Sequence, residues 1–98
     1  MRVRILDRAE RDLEDGAEFY ERQESGLGLY FFESLDADIA SLAVTAGVHR
    51  KVHGHHQLLA KRFPYAIYYE VLDGVVLVNA VVDCRREPAW IRNHVAKE

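Results

Sequence analysis

The most regular alternation of hydrophobic and polar positions lies between residues 61 and 86. Two runs rich in β-branched and aromatic residues flank Asp73-Gly74, a dipeptide that tolerates the positive φ angles of a two-residue hairpin turn. A hairpin closed by that turn would place Tyr65 opposite Val82. One face of the hairpin is then almost purely apolar, so we expect that face to lie against the core.

The opposite face of the predicted hairpin is more mixed. In the same register Tyr68 lies beside Asn79 on this face, which could therefore serve as a working surface. Two basic pairs, Lys61-Arg62 and Arg85-Arg86, stand at the end of the hairpin away from the turn.

Two amphipathic helices are predicted before the hairpin. Asp7 followed by Glu10 is typical of a capping-box helix start, and Gly16 would permit close packing against a neighbour. A loop around Ser25-Gly26 separates the two helices, which we expect to form an antiparallel helical hairpin. Apolar residues recur at helical spacing on one face of each: Ala9, Leu13, Ala17 and Tyr20 in the first, and Leu29, Phe32, Leu35, Ile39 and Leu42 in the second.

Short strands are predicted at residues 3–6 and 57–61, and Pro88 suits the first position of a last helix in which Trp90 and His94 share one face. The pattern therefore predicts an α+β fold in one domain over residues 1–98. Its order is an N-terminal strand, a helical hairpin, a three-stranded antiparallel meander and a short C-terminal helix.

Composition narrows the class of protein. Half of the residues are hydrophobic and 30% are charged, which is ordinary for a globular domain, and no apolar run approaches the length of a membrane span. The single cysteine, Cys84, excludes an internal disulfide, and without a signal-peptide pattern we expect a cytoplasmic protein. The net charge is −3, with −6 on residues 1–48 and +3 on residues 49–98. An acidic or polyanionic partner would therefore bind the second half.

The sequence resembles the RelE/ParE superfamily of toxins from type II toxin–antitoxin modules. The resemblance covers nearly the whole chain and is most specific in FPYAIYYEV at residues 63–71 and AVVDCRREPAW at residues 80–90. It implies a toxin that is held inactive by a cognate antitoxin in a hetero-oligomer, with no cofactor. Members of this superfamily either poison DNA gyrase, as ParE-like toxins do, or cleave messenger RNA on the ribosome, as RelE-like toxins do.

Departures from the RelE-like pattern favour the ParE-like branch. RNA cleavage needs groups that activate the 2′-hydroxyl, stabilise the phosphorane and protonate the leaving oxygen. This chain has Ala66 where RelE-like nucleases often carry Arg, and Trp90 where they often end in Tyr. It also has Asp83-Cys84 where related sequences have His before the basic pair. We therefore expect inhibition of gyrase through protein–protein contact, as for plasmid-stabilisation toxins of this branch. A ribosome-dependent, metal-independent mRNA endonuclease and a non-toxic antitoxin-binding remnant remain as alternatives.

The candidate site residues follow from these expectations. Contact with the target or the antitoxin is expected from Lys61, Arg62, Tyr68, Arg85, Arg86 and Trp90. If the chain is a nuclease, His94 and Arg85 are the candidate catalytic residues. The solvated ends of strands often carry charge without any function, and Trp90 could simply anchor the last helix to the sheet.

The four histidines between residues 49 and 56 raise the question of a metal site. His53 and His55 would share a face in an extended segment, but no cysteine or carboxylate lies in this stretch and the spacing matches no structural zinc motif. We therefore expect no metal. Cys84 is expected to be a half-buried strand residue.

Overall fold

The computed structural model describes residues 1–97, which form one five-stranded sheet with a helical hairpin on one face and a short helix on the other. In chain order the elements are β1 (Arg2–Ile5), α1 (Asp7–Gln23), α2 (Leu27–Ala40), α3 (Leu42–Thr45), β2 (Lys51–Val52), β3 (His55–Leu59), β4 (Tyr65–Leu72), β5 (Val75–Asp83) and α4 (Pro88–Ala96). No helix within residues 1–97 has the length and apolar character needed to cross a membrane.

The sheet is mixed and has the strand order β1-β5-β4-β3-β2. The predicted antiparallel meander corresponds to β3, β4 and β5, and a two-residue strand, β2, extends it at one edge. The N-terminal strand, for which the sequence analysis gave no pairing, joins this meander as β1, which pairs with β5 in parallel. The helical hairpin makes this possible, since it carries the chain back across one face before the chain re-enters the sheet.

The hairpin of β4 and β5 turns at Asp73 and Gly74, which both have positive φ. The predicted register holds from this turn to Tyr69, which pairs with Val78. Beyond that point the prediction is wrong by one residue, because a bulge at Asn79 shifts the pairing and sets Tyr65 opposite Asp83. A bulge moves every later side chain of its strand to the other face, as a one-residue slip would.

The helical hairpin of α1 and α2 packs on one face of the sheet, as predicted. Gly16 and Gly28 are buried where the helices come closest. A Cβ atom at Gly16 would lie 2.6 Å from Cζ of Phe31, and one at Gly28 would lie 2.6 Å from the carbonyl oxygen of Ala17. The absence of side chains at these two positions therefore lets α1 and α2 approach each other.

The ends of the helices differ from the predicted ones. Leu6 is the N-cap of α1 and makes no side-chain capping bond, so the predicted capping box at Asp7 and Glu10 does not form. The first turn of α2 is instead capped from α1, since the Glu21 carboxylate accepts the backbone N–H groups of Gly26 and Gly28.

The buried face of α2 is only partly the predicted one. Leu35 and Ile39 are buried as expected, but Leu29 and Phe32 are 64% and 40% exposed, and Phe31 fills the core instead. Leu42 is also buried, within the short helix α3. The main core between the hairpin and the sheet consists of Ala9, Leu13, Tyr20, Phe31, Leu35, Ile39, Leu42, Tyr65, Ile67, Tyr69, Val76, Val78 and Val81.

The other face of the sheet is covered as well. Ile91 and Val95 of α4 pack on a second cluster formed by Ala66, Tyr68, Ala80 and Val82. The expectation that this face is an open working surface beside Tyr68 is therefore wrong. The buried stretch from Tyr65 to Tyr69 lies between two apolar layers.

Candidate functional site

The two basic pairs lie at the same end of the sheet. The Cys84 N–H donates to the carbonyl oxygen of Pro64 at 2.8 Å, which joins the segment after β5 to the loop before β4. Lys61, Arg62, Arg85 and Arg86 are all exposed there. The structure thus brings together the four cations that the sequence placed at the open end of the hairpin.

Arg85 is held by the strand that precedes it. Its Nε and Nη2 atoms donate to the two carboxylate oxygens of Asp83 at 2.9 and 2.8 Å, and Nη2 also lies 3.3 Å from the Tyr20 hydroxyl. The hydrogen bonds from Arg85 lower the pKa of Asp83 below its ordinary value, and the carboxylate raises the pKa of Arg85. The charge of Arg85 is therefore largely matched within the chain.

Arg86 has a different partner. Its guanidinium carbon lies 3.9 Å from the centre of the Trp90 ring, in the geometry of a cation–π contact. Trp90 also stacks on His94, with ring centres 4.7 Å apart and planes inclined by 9°. Trp90 and His94 are four residues apart and therefore share one side of α4, and Trp90 contacts both His94 and Arg86, which precedes this helix. Trp90 is 38% exposed, so Ile91 and Val95, rather than Trp90, anchor this helix to the sheet.

His94 is fixed in turn by α1. Its Nε2 atom lies 2.8 and 3.0 Å from the two oxygens of Asp12, and one of these oxygens also accepts the N–H of Val81 at 2.9 Å. Burial raises the pKa of Asp12, against the opposing effect of these hydrogen bonds. Arg8 adds a second link between the helices by donating to the carbonyl oxygens of His94 and Lys97.

A cleft of about 350 Å³ lies between α1 and α4 beside this chain of contacts. Its lining combines carboxylates, cations and aromatic rings: Asp12, Asp15, Gly16, Phe19, Tyr65, Val81, Asp83, Arg86, Trp90 and His94. Burial raises the pKa of Tyr65 to about 12, so this phenol stays protonated at neutral pH. Three carboxylates against Arg86 and His94 make the cleft a poor receptor for a phosphodiester.

The cleft also separates the two candidate catalytic residues. His94 lines the cleft together with Arg86. Arg85 is bound to Asp83 and is not one of the residues that line the cleft. The orientation of His94 by Asp12 is the arrangement that a general base requires, but its Nε2 is occupied by that carboxylate. His94 is therefore held in a fixed orientation, but Arg85, the other candidate catalytic residue, does not line the cleft with it.

Tyr68 and Cys84 do not lie where the sequence analysis expected. Tyr68 is 3% exposed and pairs with Ala80, not Asn79, and its hydroxyl accepts a hydrogen bond from Gln57. Burial raises the pKa of Tyr68. A partner could reach Tyr68 only if α4 moved. Cys84 is an exposed residue of the turn after β5 and not a strand residue. Its sulfur is partly shielded from water, and this partial burial raises the pKa of the thiol.

The four histidines between residues 49 and 56 take part in local contacts. Nδ1 of His49 lies 2.6 Å from the Tyr69 hydroxyl, and the His56 ring stacks on Tyr69 at 5.0 Å. His53 has a positive φ in the turn between β2 and β3, so it does not share an extended face with His55. Within residues 1–97 no group of three or more possible metal ligands comes together.

Sequence reasoning missed Asp12 and Tyr20 as members of this site. Asp12 looked like one of several solvated carboxylates of α1, and its partners Val81 and His94 are 69 and 82 residues away. Asp83 is two residues before Arg85, so their bond was the one contact that local spacing could have indicated.

Comparison with solved structures finds the same fold in a chain of the structure described as the chromosomal ParDE TA system from P. aeruginosa. The TM-score is 0.72 at 18% sequence identity, and the match covers 85% of this chain and 95% of that chain. No protein-family model and no curated protein matches the sequence. The α+β fold predicted from the sequence is thereby confirmed, and it is the fold of a chain from a ParDE system.

Proposed function

We propose that the chain is the toxin of a type II toxin–antitoxin module, that a cognate antitoxin neutralises it in a hetero-oligomer, and that it inhibits DNA gyrase in the cytoplasm by protein–protein contact. The observation that carries this proposal is the match to 95% of a chain from a ParDE system. The class of protein, a toxin, is proposed from the likeness of the fold. The target, DNA gyrase, is proposed from the residues of the site.

The arrangement of the basic pair supports contact with a protein target. Arg86 is exposed and makes no ion pair with a carboxylate of residues 1–97, while Trp90 holds its guanidinium in place. A guanidinium fixed in this way can pair bidentately with an acidic side chain of a partner at little entropic cost. Arg85 already has such a partner in Asp83, so we assign the main target contact to Arg86.

Antitoxin binding has support from exposed apolar side chains on the helical hairpin. Leu29 and Phe32 are exposed on α2, where the sequence pattern had predicted burial. An amphipathic helix of a partner could cover them, which is one of the recurring modes of peptide recognition. We expect the antitoxin to bind there and to leave the basic end accessible or cover it with an acidic segment.

Two assays on cells that express the chain without antitoxin test the target. Accumulation of gyrase-linked DNA breaks with intact messages supports the proposal. Cuts in messages at fixed codon positions, without a gyrase effect, contradict it and favour the ribosome-dependent endonuclease. The His94–Asp12 pair is the observation that favours that alternative. Growth without either effect would instead indicate a non-toxic antitoxin-binding remnant.

Single substitutions then separate the two arginines. Arg86→Ala is expected to raise the inducer concentration needed for growth inhibition about tenfold or more, because it removes the charge that faces the target. Arg85→Ala is expected to have a smaller effect. Arg92→Ala, which removes an exposed cation from α4, is the matched control. Equal toxicity of the Arg86 variant and the control at equal protein levels would show that the basic pair has no part in target contact.

A further inference from the structure

A second and larger cleft, of about 660 Å³, lies between the first half of α1 and the C-terminal end of α4. Its volume is within the range of about 300–1,000 Å³ that is typical of small-molecule sites. Two contacts join the helices along it. Arg8 donates to the carbonyl oxygens of His94 and Lys97, and Asp12 holds the ring of His94 at 2.8 Å. The walls of the cleft are therefore fastened to each other.

A buried acceptor without a partner lies on the wall of this cleft. Oδ1 of Asn79 is buried and has no hydrogen-bond partner among residues 1–97. Asn79 lines the cleft at the bulge of β5, where the strand pairing shifts. Buried polar atoms of folded proteins nearly always have a partner, because an unsatisfied one destabilises the fold. A ligand that satisfies Oδ1 must carry an N–H or O–H donor.

Charges of both signs line the cleft as well. Asp7, Arg11 and Asp15 are four residues apart on one side of α1, and all three are exposed. Within residues 1–97 none of them forms an ion pair, and neither does Lys97. The cleft therefore offers two carboxylates to a cationic group and two cations to an anionic group.

We propose that this cleft binds a free α-amino acid with a polar side chain. The ammonium group of the ligand donates to Oδ1 of Asn79 and pairs with Asp7 or Asp15, while its carboxylate pairs with Arg11 and Lys97. A polar ligand side chain suits the cleft, because Leu6 is the one aliphatic residue among those of residues 1–97 that line it. The inference goes beyond the proposed function and depends on neither gyrase nor an antitoxin.

Ligands with charges of one sign fit the cleft less well. An organic anion such as a phosphate ester is repelled by Asp7 and Asp15, and a polyamine is repelled by Arg11 and Lys97. A metal ion would need several ligands together, and within residues 1–97 no group of three or more possible metal ligands is found. A zwitterion matches both signs of charge and also supplies the donor for Asn79.

An NMR titration of the purified, ¹⁵N-labelled full chain with L-glutamine tests the inference. A ligand of about ten non-hydrogen atoms has a dissociation constant of about 5 mM if its binding energy per atom is at the lower end of the usual range. The side-chain amide signals of Asn79 should shift on binding. Those of Asn93, the other asparagine of the chain, should not. L-Glutamine at about ten times its dissociation constant should also raise Tm by about 5 °C or more.

Two analogues of the ligand separate its charged groups. N-acetyl-L-glutamine lacks the ammonium group, and L-glutaminamide lacks the carboxylate. Each should bind at least about tenfold more weakly than L-glutamine, because hydrogen bonds to charged groups are the strong ones. Asn79→Ala should weaken the binding of L-glutamine by a similar factor, because it removes the acceptor for the ammonium group.

A variant of α1 tests the other end of the ligand. Arg11→Gln should weaken the binding of L-glutamine about threefold, as expected for an exposed ion pair, and should leave that of L-glutaminamide unchanged. Arg92→Gln is the matched control, because it removes an exposed cation of α4 that is not among the residues lining the cleft. Arg11 is exposed on a helix, so this variant tests the inference even if Asn79→Ala does not fold.

Three results would overturn the inference. The first is that neither the amide signals of Asn79 nor Tm change at ten times the expected dissociation constant. The second is equal binding of L-glutamine and its two analogues, which would show that the cleft does not recognise a zwitterion. The third is tighter binding of a tripeptide that begins with glutamine, which would assign the cleft to the N-terminus of a protein partner.

Discussion

Removal of the Asp12 carboxylate should loosen α4 and destabilise the fold. In Asp12→Ala two donors lose their acceptor, the backbone N–H of Val81 and Nε2 of His94. Each buried donor left without a partner costs about 1–3 kcal/mol. The His94 side chain is 15% exposed and can recover some hydration, so its share lies near the lower limit.

The expected loss in the free energy of unfolding is therefore about 2–4 kcal/mol, a large part of the 5–15 kcal/mol typical of a small domain. Breaking a buried ion pair can cost about 3–5 kcal/mol, but burial raises the pKa of Asp12 and so already disfavours its charged form. Asp12→Asn keeps one acceptor oxygen for Val81 and should cost about half as much as Asp12→Ala.

Urea unfolding followed by two signals provides the assay. Trp90 is the only tryptophan and stacks on His94, so its fluorescence reports on α4, while far-UV circular dichroism reports on the whole fold. In Asp12→Ala the fluorescence transition should precede the circular dichroism transition. Glu14→Ala, which removes an exposed carboxylate from the same helix, should change stability by no more than about 0.5 kcal/mol.

A double-mutant cycle with His94→Ala isolates the contact itself. The two substitutions should couple by about 0.5–3 kcal/mol, as residues in direct contact do. Additive effects, or an Asp12→Ala variant as stable as the Glu14→Ala control, would refute the reasoning that this pair fastens α4.

Three further predictions follow from single contacts. Gly28→Ala should destabilise the fold by about 1–2 kcal/mol in thermal unfolding, because the added Cβ would lie 2.6 Å from the backbone oxygen of Ala17. Alanine is favoured over glycine in helices, so a stabilised variant would contradict this prediction. The pKa of Asp83 is lowered by its bond with Arg85, so the stability it contributes is present above its ordinary pKa of 3.8 and is lost as pH falls through its folded value. Asp83→Asn should thus flatten the fall of Tm below about pH 4, and an unchanged pH profile would exclude the pair as its source. Tyr69→Phe removes a buried hydroxyl that holds the loop after α3 and should lower the free energy of unfolding by about 1–2 kcal/mol, measured by urea unfolding against the native chain.

Local pattern was sufficient to predict most elements of the fold. The two-residue turn at Asp73-Gly74, the two helices and the proline that opens α4 depend on short-range preferences, and all are found. The buried face of α2 was not predictable in the same way. This helix has apolar residues on several sides, so periodicity alone did not decide between Phe31 and Phe32. The choice depends on the close approach of α1 at Gly16, which is a tertiary effect.

The site was predictable in its cations and in the helical face that Trp90 and His94 share, but not in the contacts that hold them. The position of the cations at one end follows from the pairing of the two hairpin strands, but whether each makes an ion pair depends on the geometry of the turn after β5. Arg85 and Arg86 are adjacent and identical in type, and yet one is bound to Asp83 and the other rests on Trp90. The alternation of a strand cannot separate them, because both arginines lie in the turn after β5.

The bulge at Asn79 connects the fold to the site. An extra residue in β5 puts Val81 into the main core and directs its N–H to Asp12 of α1. The same carboxylate orients His94, on which Trp90 stacks, and Trp90 in turn holds Arg86 at the mouth of the cleft. A one-residue change of register thus reaches the exposed guanidinium through a chain of direct contacts. If these contacts act as a unit, Asp12→Ala should weaken toxicity together with Arg86→Ala and add little to it in the double variant, whereas independent effects would place Asp12 in stability alone.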